Sequence, residues 1–306
     1  MIPKTIVVGV DFSTHSEAAV TQAVDLARLH GAKLILAHAG VVPEPAVDVS
    51  AELSRAAGEW QQVLRDDLEE KRRALASLRE RYEGQGVTVS HVVVDDLPDA
   101  ALVKAAEEFG ADLVVVGSRG HTGMSRLLLG SVAERVVRHA DAHVMVARPG
   151  TSARGGFRRV LVPTDFSDIA DRAFAVAAEM LAPGGVIEAV HCWQLPPVAS
   201  GHTIPPLGTS ALDHLRGDIE RRVDGVAERA LAPHRERGLQ IEFKSIEGTP
   251  TTAIVEAADA SEADAIVMGS HGRRGLGRFF LGSVAETTVR YAQKSVVVVH
   301  GDKRSG

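Results

Sequence analysis

Two short glycine patterns carry the chemistry of this chain of 306 residues. Gly117-Ser118-Arg119-Gly120 is followed by Leu129-Gly130-Ser131-Val132. The pattern returns as Gly269-Ser270-His271-Gly272, followed by Leu281-Gly282-Ser283-Val284. Every glycine recurs at one offset: 269 − 117, 272 − 120 and 282 − 130 all equal 152. Glycine packs nothing and costs backbone entropy, so its presence at matching places in two diverged copies implies a task for bare backbone. Each pattern lies between a β-type apolar run and a helical one. A loop in that position offers unpaired N–H groups and the positive end of a helix dipole, which together cradle phosphate. The dipole alone supplies only ~0.3–1 kcal/mol, so several backbone hydrogen bonds must act together. Arg119, Arg126, Arg273, Arg274 and Arg278 make the loops locally basic in a chain of net charge −6. The plain alternative is that the glycines only shape turns. One copy would leave that alternative standing; two matching copies weigh against it.

Other chemistry is poorly served. No G-x4-G-K-[ST] sequence supplies a P-loop lysine, and no G-x-S-x-G sequence supplies a hydrolase elbow. His139 and His143 stand four apart, but Tyr291 and Ser295 replace them in the second copy, and nothing completes a metal site. The single cysteine, Cys192, excludes an intramolecular disulfide; Ala39 holds the matching place, which favours an inert thiol over a redox sensor. His38 and His191 close matching strands and read as structural, hydrogen-bonded at the strand ends. The acidic balance argues against a general nucleic-acid binder. Apolar runs such as 113–116 and 296–299 are too short to span a bilayer. A strand opening at Thr5 leaves no room for a signal peptide, so a cytoplasmic protein is expected.

The elements that must position the glycines repeat with them. TIVVGV (5–10) ends in Asp11-Phe12-Ser13, and RVLVPT (159–164) ends in Asp165-Phe166-Ser167. Strands are expected near 5–10, 33–39, 87–94, 112–117 and 143–147, then near 159–164, 186–192, 240–246, 264–269 and 295–299. Helices are expected near 14–30, 51–83, 98–109 and 131–140, then near 168–181, 210–237, 250–260 and 283–292. Strands read as continuous apolar runs alternating with helices imply a parallel sheet covered on both faces. Ser13, Ser167, Ser131 and Ser283 are expected to cap their helices. The Pro/Gly/Ser-rich stretch ending at Phe157 divides a first domain, 1–149, from a second, 158–306, with 150–157 as linker. Two Pro-rich loops, 41–50 and 194–209, follow the second strand of each half. They are expected near the C-terminal sheet edge, where ligands of such folds bind.

The spacing G-x2-G-x9-G-[ST], with an Asp after strand one and a His closing strand two, resembles the nucleotide-binding signature of the universal stress protein family, in two tandem copies. The resemblance implies two Rossmann-like (adenine nucleotide alpha hydrolase-like) α/β domains, each a five-stranded parallel sheet flanked by helices, with ATP as the ligand. It places Gly9, Val10 and Asp11, with Pro163, Thr164 and Asp165, beside the adenosine. Asp11 and Asp165 would meet the ribose or help position Mg2+. Ala39 and Cys192 would offer backbone groups to the adenine edge. Val116, Gly117 and Gly120, like Met268, Gly269 and Gly272, would line ribose and phosphates. Gly130, Ser131 and Val132, and Gly282, Ser283 and Val284, would hold the terminal phosphates. One departure stands out: Gly248-Thr249-Pro250 fits the family, whereas the first half has Asp96-Leu97-Pro98. Asp96 either enters the pocket and repels phosphate or, the reading favoured slightly, faces water. The second site is therefore expected to bind ATP at least as well as the first.

The resemblance also implies that the fifth strands of the halves pair as an intrachain pseudo-dimer, leaving a further homodimer open. The expected role is an ATP-binding stress sensor or regulator acting on an unidentified protein partner. A slow ATPase or phosphotransferase, and a scaffold with vestigial pockets, are the alternatives. A lone Asp beside ATP lacks the clamps that phosphoryl transfer uses, which favours a non-enzyme.

Overall fold

The computed structural model describes residues 3–42, 51–120, 129–195, 209–272 and 281–301. It divides into two compact units, one ending at Gly150 and the other running from Thr151. The first unit contains β1 (Thr5–Gly9), α1 (Thr14–His30), β2 (Lys33–Ala39), α2 (Ala51–Glu83), β3 (Val89–Val94), α3 (Pro98–Glu108), β4 (Leu113–Gly117), α4 (Ser131–His139) and β5 (His143–Ala147). The second contains β6 (Phe157–Pro163), α5 (Asp168–Met180), β7 (Leu181–Trp193), α6 (Thr209–Glu236), β8 (Gln240–Glu247), α7 (Pro250–Ala260), β9 (Ala265–Gly269), α8 (Ser283–Tyr291) and β10 (Ser295–Val299).

Within the first unit the strands run in the order β3-β2-β1-β4-β5, all parallel. Within the second the order is β8-β7-β6-β9-β10, again parallel. Burial on both faces explains the continuous apolar runs: Ile6, Val7, Val8, Val114 and Val115 are fully buried, as are Val160, Leu161, Ile266 and Val267. The order reverses at β1/β4 and at β6/β9. Helices after those strands leave in opposite directions, which opens a crevice at the strand ends. Gly9 and Gly117 end β1 and β4; Pro163 and Gly269 end β6 and β9. The sequence patterns therefore fall where such a sheet binds ligands.

A second repeated device anchors the opposite end of each sheet. Asp112 Oδ2 accepts the backbone N–H groups of Lys4 and Thr5 at 2.7 and 3.1 Å. Asp264 Oδ2 accepts those of Arg158 and Arg159 at 2.7 and 3.0 Å. Each carboxylate ties the strand-one entry to the loop before strand four.

Three expectations need correction. Strand β7 begins at Leu181, well before residue 186, because Leu181 pairs with Phe157 ahead of the register shift between Phe157 and Arg159. Phe157 thus belongs to β6 and not to a linker. Ser131 and Ser283 do not cap their helices: Gly130 and Gly282 hold the cap positions, at φ −67° and −64°, and no side chain caps either end. Each serine is instead the first residue of its helix. Ser13 and Ser167 do cap, accepting from Ser16 N–H and Ala170 N–H.

Candidate functional site

Each half fixes its carboxylate by a local turn. Asp11 Oδ1 accepts from the backbone N–H of Ser13 at 2.9 Å and from its hydroxyl at 2.6 Å. Asp165 Oδ1 accepts from the N–H of Ser167 at 3.1 Å and from its hydroxyl. Phe12 and Phe166, between these residues, take φ of 62° and 60°, a left-handed conformation costly for a bulky L-residue. Each Phe ring packs on the histidine of its half, 5.6 Å from His38 and 4.7 Å from His191. Those histidines are held by the strand-one backbone: His38 Nδ1 donates to Val10 O at 2.6 Å and His191 Nδ1 to Thr164 O at 2.7 Å. Their structural reading stands on this geometry.

The glycines are required by close approach and not by left-handed backbone. A Cβ at Gly120 would lie 2.7 Å from Asp11 Oδ2, and one at Gly272 would lie 2.7 Å from Asp165 Oδ2. The second glycine of each pattern thus makes room for the carboxylate of the first strand's turn. A Cβ at Gly117 would fall 2.7 Å from the carbonyl carbon of His15, and one at Gly269 2.9 Å from Ile169 Cγ2. The third glycine closes the loop. Gly130 N–H donates to Ser118 O at 2.9 Å, and Gly282 N–H to Ser270 O at 2.7 Å. Ser118 and Ser270 are themselves pinned, their N–H groups donating to Ala147 O and Val299 O at 3.1 and 2.9 Å. The resulting arrangement aims helix N-termini that no side chain caps at the crevice, so their first N–H groups are available to an anion.

In the second half the crevice is a cavity of about 630 Å³. All ten second-half positions singled out from the sequence line it: Pro163, Thr164, Asp165, Cys192, Met268, Gly269, Gly272, Gly282, Ser283 and Val284. Sequence reasoning missed Pro250 and Ile254 of α7, His271, and Ala285 of α8, which also line it. Ile254 reads from sequence as an ordinary core residue of its helix, so only the fold reveals its second role. In the first half Gly9, Val10, Asp11, Ala39, Val116, Gly117, Gly120, Gly130, Ser131 and Val132 occupy the same places on equivalent elements. There Leu102, at Ile254's position, packs so close that a Cβ at Gly9 would be 2.9 Å from its Cδ1. Asp96 turns to its neighbour, accepting Leu97 N–H at 2.8 Å in an exposed turn. Arg126, Arg273, Arg274 and Arg278 lie outside the described residues, as do 43–50 and 196–208 of the Pro-rich loops.

Electrostatics differ between the halves. His15 on α1 shares a 2.9 Å hydrogen bond between its Nδ1 and the hydroxyl of buried Ser118. Burial, then the charges of Arg119 and Arg148, hold His15 below the usual histidine range against the opposing pull of Asp11. Arg148, itself buried, is brought down to about 10 by burial first and Arg119 second. In the second half burial pushes the Cys192 thiol up to about 11, which keeps it a neutral, unreactive thiol at neutral pH. Ser118 and Ser270 are too buried to serve as nucleophiles beside their histidines.

Among the described residues no helix is long and apolar enough to cross a membrane, and no group of three or more metal-ligating side chains converges. The model of the Universal stress protein family matches residues 3–148 and again 156–300. A universal stress protein of Mycolicibacterium smegmatis is 30% identical over 96% of both chains. One from Methanocaldococcus jannaschii is 34% identical over 47% of this chain and 82% of its own. The crystal structure of a universal stress protein from Archaeoglobus fulgidus aligns with a TM-score of 0.66 and 23% identity, covering 97% of this chain and 98% of that one.

Proposed function

The chain belongs to the universal stress protein family, and from that premise we propose that each half binds ATP and that occupancy regulates a protein partner. The observation that carries this reading is the second-half cavity. It joins apolar walls (Val190, Ile254, Met268), suited to a flat base, to a helix N-terminus and glycine loop suited to a phosphate tail. Its volume of about 630 Å³ suits a small molecule, since such sites span ~300–1,000 Å³.

Mg2+ fits this reading only as a passenger of the triphosphate. Asp11 and Asp165 each have Oδ1 committed to a serine turn and Oδ2 facing the glycine loop. Mg2+ ordinarily takes one or two carboxylates plus substrate phosphates, so Asp11 and Asp165 would complete a shell that the nucleotide begins. Bound there, the ion would neutralise phosphate charge. The backbone amides of the loop orient the tail, and the buried serines keep the loop shut.

Regulation is favoured over turnover because phosphoryl transfer needs a positioned base and charge clamps. Asp165 is the one carboxylate lining the second cavity among the described residues, and its turn already engages it. Mass spectrometry of ligands released from natively purified protein tests the proposal. Adenine nucleotide is expected; protein that neither carries nor takes up adenylates with magnesium would sink it. Turnover near ~1 per second would shift the reading to an enzyme.

A further inference from the structure

The buried serine under the glycine loop receives an imidazole in both halves, but from different places in the chain. In the first half the ring is His15, from the first turn of α1, bonded to the Ser118 hydroxyl at 2.9 Å. In the second half that helix position is Ile169, and the ring is His271, from the loop itself, with its Nδ1 3.0 Å from the Ser270 hydroxyl. The position of His271 is occupied in the first half by Arg119. A histidine kept only for packing would have no reason to reappear on the same hydroxyl from another element.

His271 differs from His15 in that it lines the nucleotide-sized cavity, between Gly269 and Gly272 and opposite Gly282 and Ser283. With Nδ1 engaged by Ser270, the remaining ring nitrogen, Nε2, is the atom left to meet a ligand. We propose that His271 contacts the phosphate tail at the second site and makes nucleotide affinity there depend on pH, whereas Arg119 gives the first site a contact that does not titrate. This rests on the nucleotide-binding reading and deepens it.

The groups facing His271 are consistent with such a role. Asp165 after β6 and His191 and Cys192 of β7 line the same cavity; α7 and α8 contribute only Pro250, Ile254, Ser283, Val284 and Ala285 to it. Arg273, Arg274 and Arg278 follow in the same loop outside the described residues, and His300 follows β10 where Arg148 follows β5. An imidazolium added beside a phosphate tail strengthens binding by a charge-assisted hydrogen bond. In the first half burial, then the charges of Arg119 and Arg148, hold His15 below the usual histidine range, which disfavours its protonation.

The test is calorimetric titration of the full chain with MgATP and with adenosine at pH 6.0 and 8.0, for the unmodified protein, His271→Gln and His271→Arg. Arginine is what the first half carries at that position, so the fold already accepts it. One class of sites should bind MgATP ~5- to 10-fold more tightly at pH 6.0 than at pH 8.0, with adenosine insensitive. His271→Gln should flatten that dependence at the weaker affinity, and His271→Arg at the tighter one. The ionisation of ATP itself is common to all three proteins and cancels in the comparison. A pH dependence no larger in the unmodified chain than in the two variants overturns the role of His271. Failure of both MgATP and adenosine to bind at either pH would instead overturn the underlying nucleotide site.

Discussion

At the second site a missing side chain is coupled to a carboxylate. Asp165 cannot turn freely, because Oδ1 is held by the N–H and hydroxyl of Ser167. Its Oδ2 lies 2.7 Å from where a Cβ on Gly272 would stand. Real Cβ atoms do not approach so closely, so Gly272→Ala must push the carboxylate off its turn or shift the loop. The substitution should weaken MgATP at the second site by ~10-fold or more and cost ~1–2 kcal/mol of stability, as overpacking does. A double-mutant cycle isolates the cause: in an Asp165→Ala background the stability cost of Gly272→Ala should largely vanish in denaturant unfolding. An undiminished cost would mean that the glycine serves backbone conformation and not the carboxylate.

Elements explain what the chain makes legible. Parallel strands buried on both faces leave unbroken apolar runs, and helices between them leave their own period, so the alternation is plain in sequence. Contacts made only by folding are not: neither the Asp112 and Asp264 clamps nor the cavity face of Ile254 has a local signature. The early start of β7 is hidden because Pro183-Gly184-Gly185 reads as a breaker, while Leu181 still pairs with Phe157. Helix caps are the instructive error. Serine before an apolar run signals a cap, but Gly130 and Gly282 take that place and move each serine into the helix. The two kinds of serine should therefore respond differently to alanine. Ser167→Ala removes a side-chain cap and should cost ~1 kcal/mol. Ser283→Ala should cost under ~0.5 kcal/mol yet weaken nucleotide binding; equal losses of stability by thermal unfolding would restore serine as the cap. A helix end gives a further comparison. After α7, Glu262 takes φ 52° and is exposed, while Gly110, its counterpart 152 positions earlier, takes φ 60°. A left-handed L-residue costs ~1 kcal/mol, so Glu262→Gly should raise the unfolding midpoint of the second unit, and Gly110→Ala should lower that of the first.

At the scale of the whole molecule, the duplication has consequences for stoichiometry. Every group assigned to a site comes from one unit: carboxylate turn, strand-two histidine, glycine loop and uncapped helix all lie within residues 3–150 or within residues 151–301. Among the described residues, those lining the second cavity all belong to the second unit, so each site should fill and fail by itself. The chain should therefore take up two MgATP. Gly120→Ala, whose Cβ would lie 2.7 Å from Asp11 Oδ2, should remove the first, and Gly272→Ala the second. Calorimetric titration near the unmodified affinity should read two, one, one and none for the unmodified chain, the single variants and the double variant. The protection conferred by ligand follows the same arithmetic. Nucleotide at 100 times its dissociation constant stabilises the unit that binds it by ~2.7 kcal/mol, and contributes nothing to a unit whose loop is blocked. If either single variant abolished binding at both sites, the sites could not be the self-contained structures that the two sets of elements describe.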